Sequence, residues 1–399
     1  MLGIVLMNIS GFALPSGAYF NPRALGPAGP ADLLLWSCGF IAVDGKMRAL
    51  FSILFGASTA LVLARAEAAG EDAGAVHRAR MISLGLFGIA HWVLLWPGDI
   101  LLHYALIGLL AAPFAALDGR RLWRLALGLL LLQALAQAWV LLGNVALRAE
   151  ALAPHADPAR LAQWRDFAAN VGIGDPARIA AEIARQRGAW GGIVAANLAT
   201  LAAGAPFLLL FNGPETLAYM LIGMALQQSG FFAGAWPRAR YRRLGAWGVG
   251  LGLPLSALLC LLCWRSDFAT LPVFAAATLG GVPLRPLLAL GYAGWAVPRL
   301  GGSGRWARRL QAAGRMAFSN YLLTTLLMCA LFQGWGLGLF ARLDRGQLYA
   351  LVPMVWALML LWSPAWLRRF RYGPLEWMWR SLARGELQVF RRSIATGSH

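Results

Sequence analysis

Three ionisable side chains lie where a hydrocarbon environment would penalise them: His91, Asp99 and His103. They belong to the stretch RMISLGLFGIAHWVLLWPGDILLHYALIGLLAAPFAA, residues 80–116, in which two apolar runs flank Trp96-Pro97-Gly98-Asp99. Pro-Gly between apolar runs marks a turn, so the stretch reads as a helical hairpin. Each arm is about long enough to cross a ~30 Å hydrocarbon core, which takes roughly 20 residues. With the turn centred on Pro97, His91 lies six residues before it and His103 six after. An antiparallel hairpin then holds both imidazoles at one depth, ~9 Å below the turn at the helical rise. Asp99 and His103 are four apart and are expected on one helix face. A carboxylate beside an imidazole orients it for general-base chemistry. Ionisable groups in spanning segments are functional-site candidates; the plainer reading is a satisfied core histidine. Zinc held by His91, Asp99 and His103 would use three ligands from one hairpin at a spacing that matches no standard site, so no metal is expected.

The elements that would position these groups are membrane helices. Of 399 residues, 59% are hydrophobic and only 13% charged, against about 25% charge in a soluble chain. Long apolar runs recur from end to end. The fold class expected is all-α, a polytopic membrane helix bundle forming a single integral membrane domain over 1–399. A barrel would instead alternate in segments of about ten residues. The net charge of +18 sits in arginines clustered in short loops, the positive-inside pattern. The partner implied is a lipid bilayer, with no nucleic acid. Cys260 and Cys263 form a CxxC spacing, but inside a hydrophobic run with no second pair nearby. Small-residue packing is the reading there. Lys46 is the only lysine among 35 basic residues, and lysine shifts its pKa on burial as arginine does not.

In chain order, Met1–Leu14 is apolar, short for a span, and holds Asn8. It begins abruptly, so a missing N-terminal turn or a misassigned start is expected. Pro15–Pro30 is a Gly/Pro loop, and Ala31–Val43 a short helix on the membrane face. Asp44-Gly45-Lys46-Met47-Arg48 opens a span to Ala64. Apolar segments then recur to Leu367, eleven in all. Basic loops and a basic tail place both ends inside, which requires an even count. A break at Phe211-Asn212-Gly213-Pro214 makes one segment re-entrant, leaving about ten spans. Residues 148–190 form a long extramembrane helical loop, and 368–399 a cytoplasmic amphipathic tail. No internal repeat of the transporter kind is evident.

Other polar groups join the hairpin as candidates. Asn8 is a donor inside the bundle or interhelical glue worth about 0.6–2 kcal/mol. Asp44, Lys46 and Arg48 stand at the mouth of a span. Snorkelling at the interface explains the two bases better than the acid. In GRMAFSNY, Arg315 enters a span and Asn320 lies deeper, where it needs a partner. Arg371 and Glu376, among the aromatics of 370–379, read as an interfacial anchor.

At these residues the sequence resembles the YeiB-like family of bacterial inner-membrane proteins. The resemblance rests on GIVLMNISGFALPSGAYFNP, FIAVDGKMRALFSILFGAS, GIAHWVLLWPGDILLHYALIG, GRMAFSNYLLTTLL and WLRRFRYGPLEWMWRSL, which cover the chain from end to end. Family members usually begin with a basic residue and an Arg-Gly pair, which are absent here. The family is distantly similar to transmembrane acyltransferases such as heparan-glucosaminide N-acetyltransferase. Those enzymes carry an Asn that Asn8 would match, and a catalytic His before the next span. No His lies between Asn8 and Asp44.

What the resemblance implies is a transmembrane acyltransferase of the bacterial inner membrane, with its C-terminus cytoplasmic. It would move an acyl group from a donor such as acyl-CoA to an envelope glycan or lipid. No tightly bound cofactor is implied, and an oligomer is compatible. His91 would be the base, oriented by Asp99. Asn8 and Asn320 would donate to the oxyanion. Lys46, Arg48 and Arg315 would meet donor phosphates, with Asp44 and His103 also in the site. The alternatives are a proton-coupled transporter of a small solute, using His and Asp as a relay, or a non-catalytic membrane protein. One cavity joining Asn8, Lys46, His91 and Asn320 is the structural expectation.

Overall fold

Helix follows helix through nearly the whole chain. The computed structural model describes residues 1–171 and 175–392. Its helices are α1 (Leu2–Ala13), α2 (Gly17–Phe20), α3 (Pro30–Ala42), α4 (Lys46–Ala68), α5 (Ala73–Leu94) and α6 (Leu101–Ala111). A 3₁₀ turn (Ala112–Ala116) leads into α7 (Gly119–Ala151), α8 (Pro158–Val171), α9 (Pro176–Gln186), α10 (Trp190–Gln228) and α11 (Arg238–Arg265). Then come α12 (Thr270–Ala277), α13 (Gly281–Leu300), α14 (Arg305–Arg315), α15 (Ala317–Phe332), α16 (Arg345–Arg369) and α17 (Pro374–Arg384). Among the described residues the sole β feature is one bridge between Phe370 and Arg391. Acidic caps start several helices: Asp118 accepts from the backbone N–H of Arg120 and Arg121, and Asp344 with Gln347 forms a capping box.

This is an all-α multi-pass membrane protein. Five helical stretches are long and apolar enough to cross a bilayer: 30–68, α7, α10, α11 and α16. Counting the bent pairs α12–α13 (42°) and α14–α15 (78°) as one span each gives up to seven. On α7, Leu131, Leu135, Trp139 and Leu142 point outward and are exposed, as a lipid-facing side should be. The count falls short of ten because several apolar segments are too short as helices. The hairpin's second arm is α6, 11 residues closed by the 3₁₀ turn, and α1 has 12 residues.

The expected break at 211–214 is absent. α10 runs unbroken for 39 residues, with Pro206 and Pro214 inside it. A proline removes a backbone donor and loosens the preceding turn. Here Gln133 and Gln137 of α7 reach the Phe211 carbonyl at 2.7 and 3.4 Å. Side-chain donors from a neighbouring helix let the proline remain in the membrane. The stretch 148–190 consists of the last turn of α7, then α8, α9 and the start of α10. Of the 368–399 tail, residues up to 392 comprise the end of α16, a short link and α17; residues 393–399, like 172–174 in the loop, lie outside the described residues.

The centre of the bundle is the second half of α10, buried from Ala218 to Leu226. It packs on α4 through glycines. A Cβ at Gly223 would lie 1.9 Å from the Ile53 carbonyl oxygen, and one at Gly56 2.0 Å from that of Met220. In α11 and α13, Gly248 and Gly291 repeat the arrangement. Close backbone approach through small residues is how membrane helices gain packing. Gly223→Ala must push α4 and α10 apart, and overpacking costs about 1–3 kcal/mol. The expected result is a clear fall in thermal midpoint in detergent. Gly143→Ala, with nothing within 4 Å of the new Cβ, is the control. Equal midpoints for the two variants would contradict this account of the crossing.

Candidate functional site

The α5–α6 hairpin builds a buried His–Asp pair. His91 sits in the last turn of α5 and Asp99 in the link before α6. His91 Nδ1 and Asp99 Oδ1 are 2.9 Å apart, and both residues are only 2% exposed. The other carboxylate oxygen accepts from the Leu102 backbone N–H at 2.9 Å. With a neutral imidazole facing a carboxylate, Nδ1 would carry the hydrogen and Nε2 would present its lone pair. Around this turn, free carbonyls at the end of α5 are claimed from two sides. Asn197 and Trp190 of α10 reach Val93 and Leu94 at 3.3 and 2.9 Å, and Gln333 reaches Leu95 at 3.1 Å. A glycine lets the arms touch: a Cβ at Gly88 would lie 2.3 Å from the Leu102 nitrogen.

Asp99 and His103 do not share a helix face. Asp99 precedes the helix because its side chain caps it, and His103 turns toward α10, with Nε2 3.0 Å from Thr216 Oγ1. The His91 ring instead faces Tyr321 of α15, with ring centroids 5.2 Å apart. His91 Nε2 and the Tyr321 hydroxyl are both buried, and neither has a hydrogen-bond partner among the described residues. Buried polar atoms are normally paired; the Tyr321 hydroxyl lies close to Asp99 and the Ile100 backbone, so His91 Nε2 is the atom left most clearly in need of a partner. Tyr321 lines a cavity of about 260 Å³ that also touches Tyr104, Ile100, Arg80, Arg315 and Arg380. A small hollow beside it is lined by Asn8, Tyr321, Thr324 and Thr325.

A second polar centre is separate. Glu215 of α10, fully buried, lies between two arginines. Its Oε1 accepts from Arg285 at 2.7 Å and from the Tyr219 hydroxyl at 2.6 Å. Its Oε2 accepts from Arg48, which also donates to Thr216 at 3.2 Å. His103 completes the set through Thr216. Two cations thus share one anion deep in the bundle.

The expected single cavity does not form. Asn8 remains near Tyr321, but Arg48 is bound by Glu215, and Lys46 donates to the Phe40 carbonyl at 2.5 Å. Neither is placed for a donor phosphate. Asp44 accepts from Tyr19 in a different hollow, with Arg345 and Tyr349. Asn320 is fully used: its amide donates to the Ala313 carbonyl and Ser363, and its oxygen accepts from Trp362 at 2.8 Å. It is interhelical glue, with no donor left for an oxyanion. Arg315 is exposed at the cavity mouth. Among the described residues no group of three or more His, Cys, Asp and Glu is arranged to hold a metal ion.

Glu376 is more than an interfacial anchor. From α17 it accepts the backbone N–H groups of Phe318 and Ser319 at 2.8 and 3.1 Å, and the Ser319 hydroxyl. A carboxylate thereby caps the start of α15 after its 78° bend. Trp379 ties the same helix to α5 by donating to the Arg80 carbonyl at 2.9 Å. Glu376→Gln replaces charge-assisted bonds with neutral ones, a loss of about 1–2 kcal/mol. Limited trypsin digestion is expected to cut faster at Arg380 and Arg384; an unchanged rate would show that α17 does not depend on this cap.

Glu215, Arg285, Arg80 and Arg380 do not stand out in the sequence, and Tyr321 enters it only as the end of GRMAFSNY. For the first two there is nonetheless a signal: each is a lone charge inside an apolar run, which is rare without a partner. Tyr321 carries no such signal, because a tyrosine in a membrane helix is ordinary until its neighbours are known.

Residues 226–386 match a family described as "Protein of unknown function (DUF418)". The chain is 32% identical to the protein "Uncharacterized protein YeiB" of Escherichia coli (strain K12), over 96% of this chain and 93% of that protein. It is 28% identical to "Uncharacterized protein YxaH" of Bacillus subtilis (strain 168), over 96% and 90% respectively. No solved structure matches. An end-to-end match at this level shows that the chain belongs to the YeiB family.

Proposed function

We propose that this chain is a transmembrane acyltransferase, with His91 as general base and Asp99 as the group that orients it. The observation that carries the reading is the buried His91–Asp99 pair with its unpartnered Nε2, whose ring packs on Tyr321, a residue of the cavity wall. A substrate hydroxyl at Nε2 would give that atom the partner it lacks. His91 Nε2 takes its proton, and the oxygen attacks the carbonyl carbon of a thioester donor. As the C–S bond breaks, the proton passes from His91 to the leaving sulfur. Asn8, which lines a small hollow with Tyr321, is a candidate donor to the developing oxyanion. Arg315 would meet the donor's phosphates. Of the expected set, Asp44, Lys46, Arg48, His103 and Asn320 take structural roles in this reading. The donor is acyl-CoA and the acceptor an envelope glycan or lipid. The chain would lie in the bacterial inner membrane with its tail in the cytoplasm.

The test is to incubate the purified protein with labelled acetyl-CoA and envelope acceptors. Transfer lost in His91→Ala supports the reading, and no transfer by the native chain to any acceptor class overturns it. A second reading, a proton-coupled transporter, is favoured by ionisable groups in two separate buried centres, His91–Asp99 and His103–Arg48–Glu215. Proton-driven uptake in proteoliposomes, abolished by Asp99→Asn without any acyl transfer, would select it.

A further inference from the structure

Where α17 crosses α5 and α15, the cavity of about 260 Å³ has an apolar interior of Ile4, Phe51, Phe55, Leu84, Leu101 and Phe318. Its mouth carries Arg80, Arg315 and Arg380. It adjoins a wider hollow of about 690 Å³ that shares Arg80 and Arg380 and adds Arg65 and Arg384, with Glu71 and Glu386 also on its wall. Among the described residues none of these arginines has a salt bridge. The carboxylate nearest the mouth, Glu376, is engaged by the start of α15. Two guanidinium groups are held by aromatic faces: Arg80 lies 4.3 Å from the Trp379 ring and Arg380 4.7 Å from that of Tyr372. Arg315 donates to the Arg371 carbonyl at 3.2 Å. Stacking positions a guanidinium yet leaves its edge donors free, and that planar fork matches a phosphate.

A positive rim above a low-dielectric hole focuses an attractive field on anions. The interior would hold on the order of nine water-sized groups and offers them mostly hydrocarbon walls. A free anion gains nothing from such an interior, and a neutral chain gains nothing from the rim. We propose that this is a binding site for a phosphate-headed amphiphile. Its phosphate sits among Arg80, Arg315 and Arg380, and its acyl chain runs inward toward Tyr104 and Tyr321. Two sources share that chemistry: a bilayer phospholipid, and a soluble acyl thioester with a phosphorylated head. The site stands whether or not the chain transfers acyl groups.

The experiment measures binding to the full chain in an uncharged maltoside detergent. Four probes are compared: octanoyl-CoA, lysophosphatidic acid of the same chain length, 1-octanoylglycerol and inorganic phosphate. Both phosphate-headed amphiphiles are expected to bind, with the uncharged glyceride at least about tenfold weaker, the equivalent of one charge-assisted contact. Tighter binding of the nucleotide-headed probe identifies the soluble thioester as the source; tighter binding of lysophosphatidic acid identifies the bilayer lipid. Arg380→Gln, at an exposed position, should weaken both by roughly tenfold. Ser58→Trp, also exposed and on the cavity wall, should exclude the chain while leaving the arginines in place. Glyceride binding equal to that of the phosphate probes, phosphate alone competing as well as the amphiphiles, or native affinity in both variants would each overturn the proposal. Binding without transfer would leave this site standing and remove the acyltransferase reading alone.

Discussion

Glu215→Ala is expected to destabilise the fold severely, with a much lower thermal midpoint and a reduced folded fraction. The substitution removes the one anion shared by Arg48 and Arg285 and strands both cations in the bundle. Breaking a buried ion pair from one side costs about 3–5 kcal/mol, a large fraction of a typical stability of 5–15 kcal/mol. Glu215→Gln keeps an acceptor for Tyr219 but not the charge, so it should fall between native and alanine. Arg48→Gln and Arg285→Gln should each cost less than the loss of Glu215, because one cation would then remain paired with one anion. The triple replacement by methionine discriminates a structural role from a functional one. A buried triad can be exchanged for apolar residues at little cost or with a gain, so a purely structural cluster predicts recovery of the folded fraction. Size-exclusion profiles and thermal midpoints in detergent read all of these. A Glu215→Ala variant as stable as the native chain would mean that the arginines reach water or another anion.

The sequence makes some of this legible and hides the rest for a physical reason. Composition and run length identify an all-α membrane bundle, because hydrocarbon demands apolar surfaces whatever the helix order. The hairpin is equally plain, because Pro97-Gly98 marks the turn; the turn alone sets His91 level with His103, and the structure is what shows His91 meeting Asp99. What local spacing cannot supply is the third dimension. His103 looks like a partner of Asp99 at four residues' distance, yet it pairs with Thr216, 113 positions away. Lys46 and Arg48 are two residues apart, yet one binds the Phe40 carbonyl and the other Glu215. Asn320 looks like a free donor until Trp362 and Ser363 surround it. Pro214 reads as a break, and only Gln133 and Gln137 on another helix show why none occurs. In each case the deciding partner lies on a different helix, and the signal that remains in sequence is the charge or amide that needs one.

Asp99→Asn is expected to lower acyl transfer by about 10²–10⁴-fold while leaving the fold nearly intact. Asparagine retains a carbonyl oxygen that can still accept from the Leu102 N–H, so the start of α6 keeps its cap. Its amide nitrogen then faces His91 Nδ1, where the native side chain has an acceptor. A donor there forces Nδ1 to accept, and the ring hydrogen moves to Nε2. Nε2 becomes a donor and can no longer take a proton from a substrate hydroxyl. His91→Ala removes the base outright and should lose at least as much rate. The double variant should be no worse than His91→Ala alone, since Asp99 acts only through the ring. The measurement is transfer rate alongside thermal midpoint for the three variants. If Asp99→Asn and His91→Ala lower the rate by independent, multiplying factors, Asp99 acts on something other than the imidazole. If Asp99→Asn keeps the native rate at an unchanged midpoint, the orientation of His91 is not part of the chemistry.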